Sequence, residues 1–409
     1  GGQLPEGRGV IALYLAPIYF LVNGYLLFRI LNWAGTCAPV FKKKSVRITV
    51  ILVYAFFAFS ILIAFVMPDG QARRIMKLIS NYWLGVLLYL VLTVMAAEIA
   101  RLILCLLQRK SIRKIHSEKL FSAIGAACAA VVTLFSIWGI INAGIIRVTP
   151  YEIAVGKSAG DLESLNVVLI ADLHLGYNIG IAHMARMVEL INEQDADLIV
   201  IAGDIFDNEY EALEDPEELA EILNGMEAKY GVYACYGNHD IQEPILAGFT
   251  FNGEDGKSSS PEMDQFMEKS NIRLLKDEAV LIDDSFYLYG RPDYERPGLG
   301  DDERKAPEEI TAELDLAKPV IVIEHEPREL EELAEAGVDV DLCGHTHDGQ
   351  MFPGNLTIDL MWENACGYLK KDQMHNIVTS GVGLFGPNMR VGTRAEICSI
   401  KVRFNCPEQ

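Results

Sequence analysis

The sequence predicts an α/β domain behind an all-α segment of four membrane-spanning helices, and three observations predict it. Charge is split along the chain: residues 1–150 hold 16 Lys/Arg against four acids, and the remainder holds 19 basic and 52 acidic residues. Four apolar runs, all within the first 146 residues, are each long enough to cross a bilayer, which takes about 20 residues. Beyond them, short β-branched runs alternate with segments of helical spacing, which is the sequence signature of a layered α/β domain.

The apolar runs are Val10–Asn32, Ile48–Met67, Tyr82–Leu107 and Leu120–Ile146. The first is expected to be a span and not a cleavable signal sequence, because it is long, lacks a basic leader beyond Arg8 and is followed by three more. The second ends at Met67-Pro68-Asp69-Gly70, and Gln71–Ser80, with Arg73, Arg74 and Lys77, reads as a short helix on the interface. Lys42, Lys43, Lys44 and Arg47 precede the second run, and Arg109, Lys110, Arg113, Lys114 and Lys119 precede the fourth. These two loops share a side and outnumber the opposing basic residues. The positive-inside rule therefore predicts a multi-pass protein of the cell membrane with the acidic domain outside the cytoplasm. Glu98 lies within the third run with Arg101 three residues on, the spacing of a helical ion pair whose arginine reaches the interface. No internal repeat of broken helices suggests a transporter.

The acidic balance argues against nucleic-acid binding, which needs basic surface, and suits a site that gathers cations. The eight cysteines are scattered, with no Cys-x-x-Cys, so neither a disulfide framework nor a zinc ribbon is signalled. Free buried thiols are the expectation, with a Cys398–Cys406 bridge as the alternative.

In the acidic part, Thr149–Val155 reads as a first strand and Val167–Ile170 as a buried one ending in Asp172-Leu173-His174. Ile181–Gln194 has helical spacing. Leu198–Ala202 is a strand ending in Gly203-Asp204-Ile205-Phe206-Asp207; Glu211–Met226 reads as an acidic helix; Val232–Tyr236 is a strand ending in Gly237-Asn238-His239-Asp240. A polar loop, Glu254–Glu262, leads to a helix from Met263. A hairpin over Val280–Tyr289 and a long charged loop, Arg291–Pro307, follow. Val320–Ile323 ends in Glu324-His325-Glu326-Pro327, and Asp339–Cys343 in Gly344-His345-Thr346-His347, with a helix, Arg328–Ala336, between them. Ile377–Ser380 and Glu396–Phe404 supply closing strands. Each chemistry-bearing group follows an apolar strand, and in α/β sheets sites gather at strand carboxyl ends.

The ordered set D-x-H, G-D-x-x-D, G-N-H-D, a lone His and G-H-x-H resembles the calcineurin-like metallophosphoesterase superfamily over about residues 150–404. Ile323–Pro327, Gly344–Gln350 and Arg390–Ile397 look like its bacterial membrane-linked branch. The resemblance implies a four-layer α/β/β/α sandwich of two mixed sheets and two divalent metal ions (Mn, Fe or Zn). Asp172, His174 and His347 would hold the first ion, Asp204 would bridge, and Asn238, His325 and His345 would hold the second. His239 would be the general acid, with Asp240 orienting it, and Asp207 would steady a ligand or loop. Such ions activate a water and neutralise charge on phosphorus. The family usually has Gly where this chain has Asp348, a difference expected to touch substrate fit more than metal binding. His116, His183 and His375 belong to no block and read as structural or solvent-facing. Arg291, Asp293 and Arg296 read equally as substrate contacts or as a solvated loop.

The expected protein is thus a transmembrane domain over residues 1–146 carrying a metallophosphoesterase domain over 147–409. Its partners are the bilayer and a phosphodiester, phosphomonoester or pyrophosphate substrate, in a lipid or cell-envelope precursor or in a soluble nucleotide. Relatives of this branch that cleave UDP-diacylglucosamine would need cytosolic access, which the expected topology opposes. A non-catalytic membrane receptor retaining the metal site is the alternative; a lipid transporter using Asn23, Glu98 and Asn142 is a third.

Overall fold

The computed structural model describes residues 8–107, 118–241, 245–246, 249–250, 258–298 and 303–405. It separates into two compact units, one over 1–141 with 245–251 and 386–389, the other over 142–244, 252–385 and 390–409.

The first unit is built on four helices, α1 (Arg8–Cys37), α2 (Lys44–Val66), α3 (Gln71–Leu107) and α4 (Glu118–Ala143). α2, α3 and α4 are long and apolar enough to cross a membrane. Their outward faces remain apolar, as at Leu52, Leu102 and Leu134, and a helix hydrophobic all round suits lipid surroundings. Gln71–Ser80 is not a separate surface helix. It forms the first turns of α3, since no proline or glycine lies between Gln71 and Tyr82. Inside the bundle Tyr54 meets Trp83 edge to face at 5.2 Å and its hydroxyl donates to Asn23 Oδ1 at 3.0 Å. The expected Glu98–Arg101 pair forms at 3.1 Å, and Arg29 joins Glu98 from α1 at 2.5 Å. Asn23 is engaged within the bundle, and Asn142 donates to the backbone of Arg390 and Thr393. A short hairpin, β5 (Ile245–Leu246) and β6 (Phe249–Thr250), also falls in this unit.

The second unit holds the remaining strands. They are β1 (Ile146–Ala154), β2 (Ser164–Ile170), β3 (Leu198–Ala202), β4 (Val232–Cys235), β7 (Ile272–Leu274), β8 (Glu278–Ile282), β9 (Phe286–Gly290), β10 (Val320–Ile323), β11 (Val340–Cys343), β12 (Gly367–Lys371), β13 (Met374–Val378) and β14 (Ala395–Arg403). Two mixed six-stranded sheets result, ordered β1-β14-β2-β3-β4-β7 and β12-β13-β11-β10-β9-β8. Their inner faces pack together through Val167, Leu169, Leu198, Val200, Ile321, Ile323, Leu342 and Ile400. The alternate residues of the same strands, Val168, Ile170, Ile199 and Ile201, turn outward onto α5 (Ile181–Asn192), α6 (Pro216–Asn224) and α7 (Pro261–Lys269). The other sheet covers its outer face with α8 (Pro307–Thr311) and α9 (Leu330–Glu335) through Val320, Val322, Leu330 and Leu333. The layers are α/β/β/α, and burial on both faces explains why the strands read as unbroken apolar runs.

Local chemistry sets the boundaries. The expected helix Glu211–Met226 begins only at Pro216: Asp215 caps the Glu218 N–H, and proline suits the first helical position, leaving Tyr210–Ala212 as a single 3₁₀ turn. Ser260 and Pro261 start α7 in the same way. The short strands β7 and β12 are absent from the sequence reading, because each offers few apolar residues. The expected polar loop Glu254–Glu262 lies partly outside the described residues, as do His116 and Cys406; Cys398 is a buried free thiol.

Candidate metal centre

Parallel pairing aligns the strand ends that carry the polar residues. β2 pairs β3 up to Ile170 against Ile201, β3 pairs β4 up to Ala202 against Cys235, and β10 pairs β11 up to Ile323 against Leu342. Beyond the last pairs the ladder continues for one turn, with Asp172 N–H donating to Gly203 O and His174 N–H to Asp204 O, both at 3.0 Å. Asp172, His174, Asp204, His345 and His347 all have positive φ, between 45° and 73°. Non-glycine residues seldom occupy that region, and such strain clusters at functional sites.

Glycine is required at two of these ends. A Cβ on Gly203 would stand 2.6 Å from His325 Nδ1, and one on Gly237 would stand 2.3 Å from Asp204 Oδ1. The small residue at each strand end therefore makes room for the carboxylate and imidazole of its neighbours.

Two groups form. Asp172, His174 and His347 bring one ligand atom each within 4.8 Å of one another, and so do Asp204, His325 and His345. His174 Nε2 and His347 Nε2 face each other at 3.0 Å. His325 Nε2 lies 3.0 Å from Asp204 Oδ2, and His345 Nδ1 lies 3.1 Å from both His325 Nε2 and Asn238 Oδ1. Asp204 stands between the groups, with Oδ2 also 3.7 Å from His174 Nε2. All seven sequence-predicted ligands are thus brought together.

The donor set fits divalent ions. Imidazoles and carboxylates are ligands for borderline and hard cations, and two imidazoles sharing an ion at about 2.1 Å stand roughly 3 Å apart at a right angle. Burial pushes the Asp172 carboxyl up to about 6, and burial together with the His325 charge pushes His345 down to about 3. Burial, with His174 and Arg390 nearby, also holds His347 well below the usual range, leaving neutral rings with lone pairs to offer. Asp204 is likewise buried, but His325 and the other imidazoles outweigh burial and hold it low.

Around this core, His325 Nδ1 is tied to Ala202 O at 2.8 Å and His174 Nδ1 faces Asp207 Oδ1 at 3.5 Å. Such outer partners fix ring orientation. Asp207 Oδ1 also lies 3.8 Å from His239 Nδ1. Here the sequence reading needs correction: Asp240 does not orient His239. Its carboxylate accepts the N–H groups of Phe206 at 2.8 Å and Gly237 at 2.7 Å, so it ties together the loops that carry Asp204 and Asn238, and Asp207 is the carboxylate that faces His239. The His239 N–H donates to Asp204 Oδ1 at 2.8 Å, and its ring lies 4.9 Å from that of Phe385. Burial pushes the His239 imidazole down to about 4.

Residues 165–349 match the model of the calcineurin-like phosphoesterase family. They form a calcineurin-like phosphoesterase domain. The chain is 29% identical over 404 residues to the zebrafish (Danio rerio) transmembrane protein with metallophosphoesterase domain, covering 96% of this chain and 88% of that one. An uncharacterized metallophosphoesterase of Helicobacter pylori is 28% identical over 248 residues, 59% of this chain and 60% of its own length. A UDP-2,3-diacylglucosamine pyrophosphatase of Chlamydia trachomatis is 23% identical over 244 residues, 52% of this chain and 72% of its own.

The phosphoesterase domain also uses residues that motif reading passed over. Arg390, fully buried, places Nη2 2.7 Å from Ser380 O and 3.4 Å from His347 Nδ1; its phrase was visible, but not its place beneath His347. Phe385 carried no signal at all. Arg291 is fully buried and not a solvated loop residue: it bonds Glu324 at 3.0 Å and Glu329 at 2.6 Å, and Arg304 meets the same two carboxylates. Asp293 is buried and turns the loop, and Arg296 donates to Asn238 O at 3.1 Å. His183 and His375 are structural, bonded to Val382 O and Ala154 O.

Two predictions arise here. Arg291→Ala leaves the buried Glu324 with Arg304 as its remaining arginine and should cost about 2–3 kcal/mol of stability, read by thermal denaturation; an unchanged midpoint contradicts the network's role. Asp348 has φ 54°, a conformation glycine adopts freely. Asp348→Gly should therefore raise the midpoint slightly, by roughly 2 °C, with metal content unchanged.

Proposed function

We propose that this chain is a membrane-anchored, two-metal phosphoesterase. A four-helix membrane domain over residues 1–146 carries a catalytic domain over 147–409, which the basic loops set outside the cytoplasm. The observation that carries this reading is the convergence of Asp172, His174 and His347 with Asp204, Asn238, His325 and His345, Asp204 lying between the two sets.

Asp172, His174 and His347 would hold one divalent ion and Asn238, His325 and His345 another, with Asp204 beside both sets. Bound there, the ions would supply an activated water at neutral pH and offset charge on the phosphoryl oxygens. The protein's own groups complete the chemistry. Neutral Asn238 limits the negative charge that an anionic phosphate must approach. His239, next to Asn238 and anchored through its backbone N–H to Asp204, donates a proton to the leaving oxygen once an anionic phosphate, with Asp207, offsets the burial that otherwise keeps its ring neutral. Asp207 faces both His174 and His239, coupling the acid to the first ligand set. Asp240 positions the two loops that carry Asp204 and Asn238.

The membrane helices and the zebrafish and Chlamydia relatives support a phosphoester carried at a bilayer, such as a lipid or lipid-linked precursor. The test is hydrolysis of bis-p-nitrophenyl phosphate and p-nitrophenyl phosphate by the purified full chain, stripped with EDTA and then supplied with Mn²⁺. Turnover that disappears and returns supports the reading, and turnover indifferent to EDTA overturns it. The ratio of the two substrates separates diester from monoester preference.

A further inference from the structure

We propose that the segment Gly354–Met361 docks into the surface of the lipid bilayer and so sets the metal centre at headgroup level. That it thereby serves a membrane-borne phosphoester rests on the catalytic reading above; the docking itself does not.

Among the described residues of the second unit, the only large apolar side chains more than half exposed are Leu356, Leu360 and Met361, at 65%, 85% and 76%. They share one short segment of an otherwise acidic domain. A concentrated apolar exposure of this kind marks an interaction surface, whereas single exposed leucines do not. The segment forms two consecutive 3₁₀ turns, Gly354–Leu356 and Ile358–Leu360. Several of its N–H groups are paired locally: Leu356 donates to Pro353 O, Thr357 to Gly354 O, Leu360 to Thr357 O and Met361 to Ile358 O, at 2.9–3.0 Å. Local pairing lowers the cost of bringing that backbone to an apolar medium. The base is fixed by close contact of Gly349 with Gly354 and by Phe352 N–H donating to Val391 O at 2.7 Å.

The next residue links this tip to the chemistry. The Trp362 ring lies 5.1 Å from that of His345. Arg328 stacks over Trp362 at 4.7 Å and over Tyr294 at 4.9 Å, and Arg304 covers Tyr294 at 4.7 Å. Tryptophan, tyrosine and arginine are the residues that settle at headgroup depth. Asp359 within the segment and Glu363 two residues beyond it are exposed, and Glu363 pairs with Lys371 at 2.8 Å. The occupant is the bilayer and not a protein partner, because helices apolar enough to cross a membrane belong to the same chain and hold the domain at one.

The test uses the full chain reconstituted in phosphatidylcholine vesicles, with Cys37→Ser and Cys406→Ser as background. An environment-sensitive NBD label is placed at Leu360→Cys, with Leu281→Cys and Leu316→Cys as exposed controls. Docking predicts a blue-shifted label at 360, quenched by 5-doxyl phosphatidylcholine at least threefold more than either control. A blue shift without lipid quenching, which means a covering protein segment or a second copy, overturns the proposal, and so does a solvent-like spectrum. Turnover of bis-p-nitrophenyl phosphate by the same samples reads catalysis separately. Delivery predicts that kcat/KM for hexadecyl p-nitrophenyl phosphate in vesicles exceeds that for the methyl ester at least tenfold, and that Leu360→Asp shrinks this ratio at least fivefold. Equal use of the two esters overturns delivery while leaving the catalytic reading intact.

Discussion

Asp204→Ala is expected to lower phosphodiester turnover by roughly 10⁴-fold or more, about 5.5 kcal/mol in the barrier, and to remove bound metal from the purified chain. The reason is position. Its Oδ2 lies 3.0 Å from His325 Nε2 and 3.7 Å from His174 Nε2, so one carboxylate serves both ligand sets. Its Oδ1 accepts the His239 N–H, so the same side chain also places the proposed acid. Alanine removes the shared negative charge and leaves buried imidazoles converging on nothing. Asp204→Asn keeps an acceptor for His239 but loses the charge, and should fall between alanine and the parent. Steady-state turnover with elemental analysis of the same samples checks both effects. Retained metal at full stoichiometry in Asp204→Ala would remove this residue from the centre.

His239→Ala should behave differently. Metal content should stay at the parental level, because His239 joins neither ligand set, while kcat falls by about 10²–10⁴-fold, the range of a lost general acid. The loss should depend on the leaving group. p-Nitrophenolate departs without much help, so bis-p-nitrophenyl phosphate should be affected least and an alkyl diester most. A uniform loss across leaving groups would assign His239 to binding or charge stabilisation.

The sequence carries the candidate residues of both groups, because each follows a short, mostly buried strand and parallel pairing then aligns the ends. Asp172, His174, Asp204, Asn238, His325, His345 and His347 were legible as candidates for that reason. Their partners were not. Asp207 and Asp240 lie equally near the motifs in sequence, and only the fold shows that Asp207 faces His239 while Asp240 accepts the N–H groups of Phe206 and Gly237. Arg291 reads as a charged loop residue, yet it is buried on Glu324 and Glu329, a contact between segments more than thirty residues apart that no local pattern encodes. The element boundaries failed where local chemistry was overlooked: Pro216 delays a helix, and the lack of proline or glycine between Gln71 and Tyr82 fuses a short helix with a span.

The most direct measurement is the metal content of the purified full chain, by elemental analysis, beside its turnover before and after EDTA. The account predicts about two divalent ions per chain and turnover that vanishes and returns with them. A chain that turns over at full rate with no ion, or that never retains more than one, would contradict a two-metal centre.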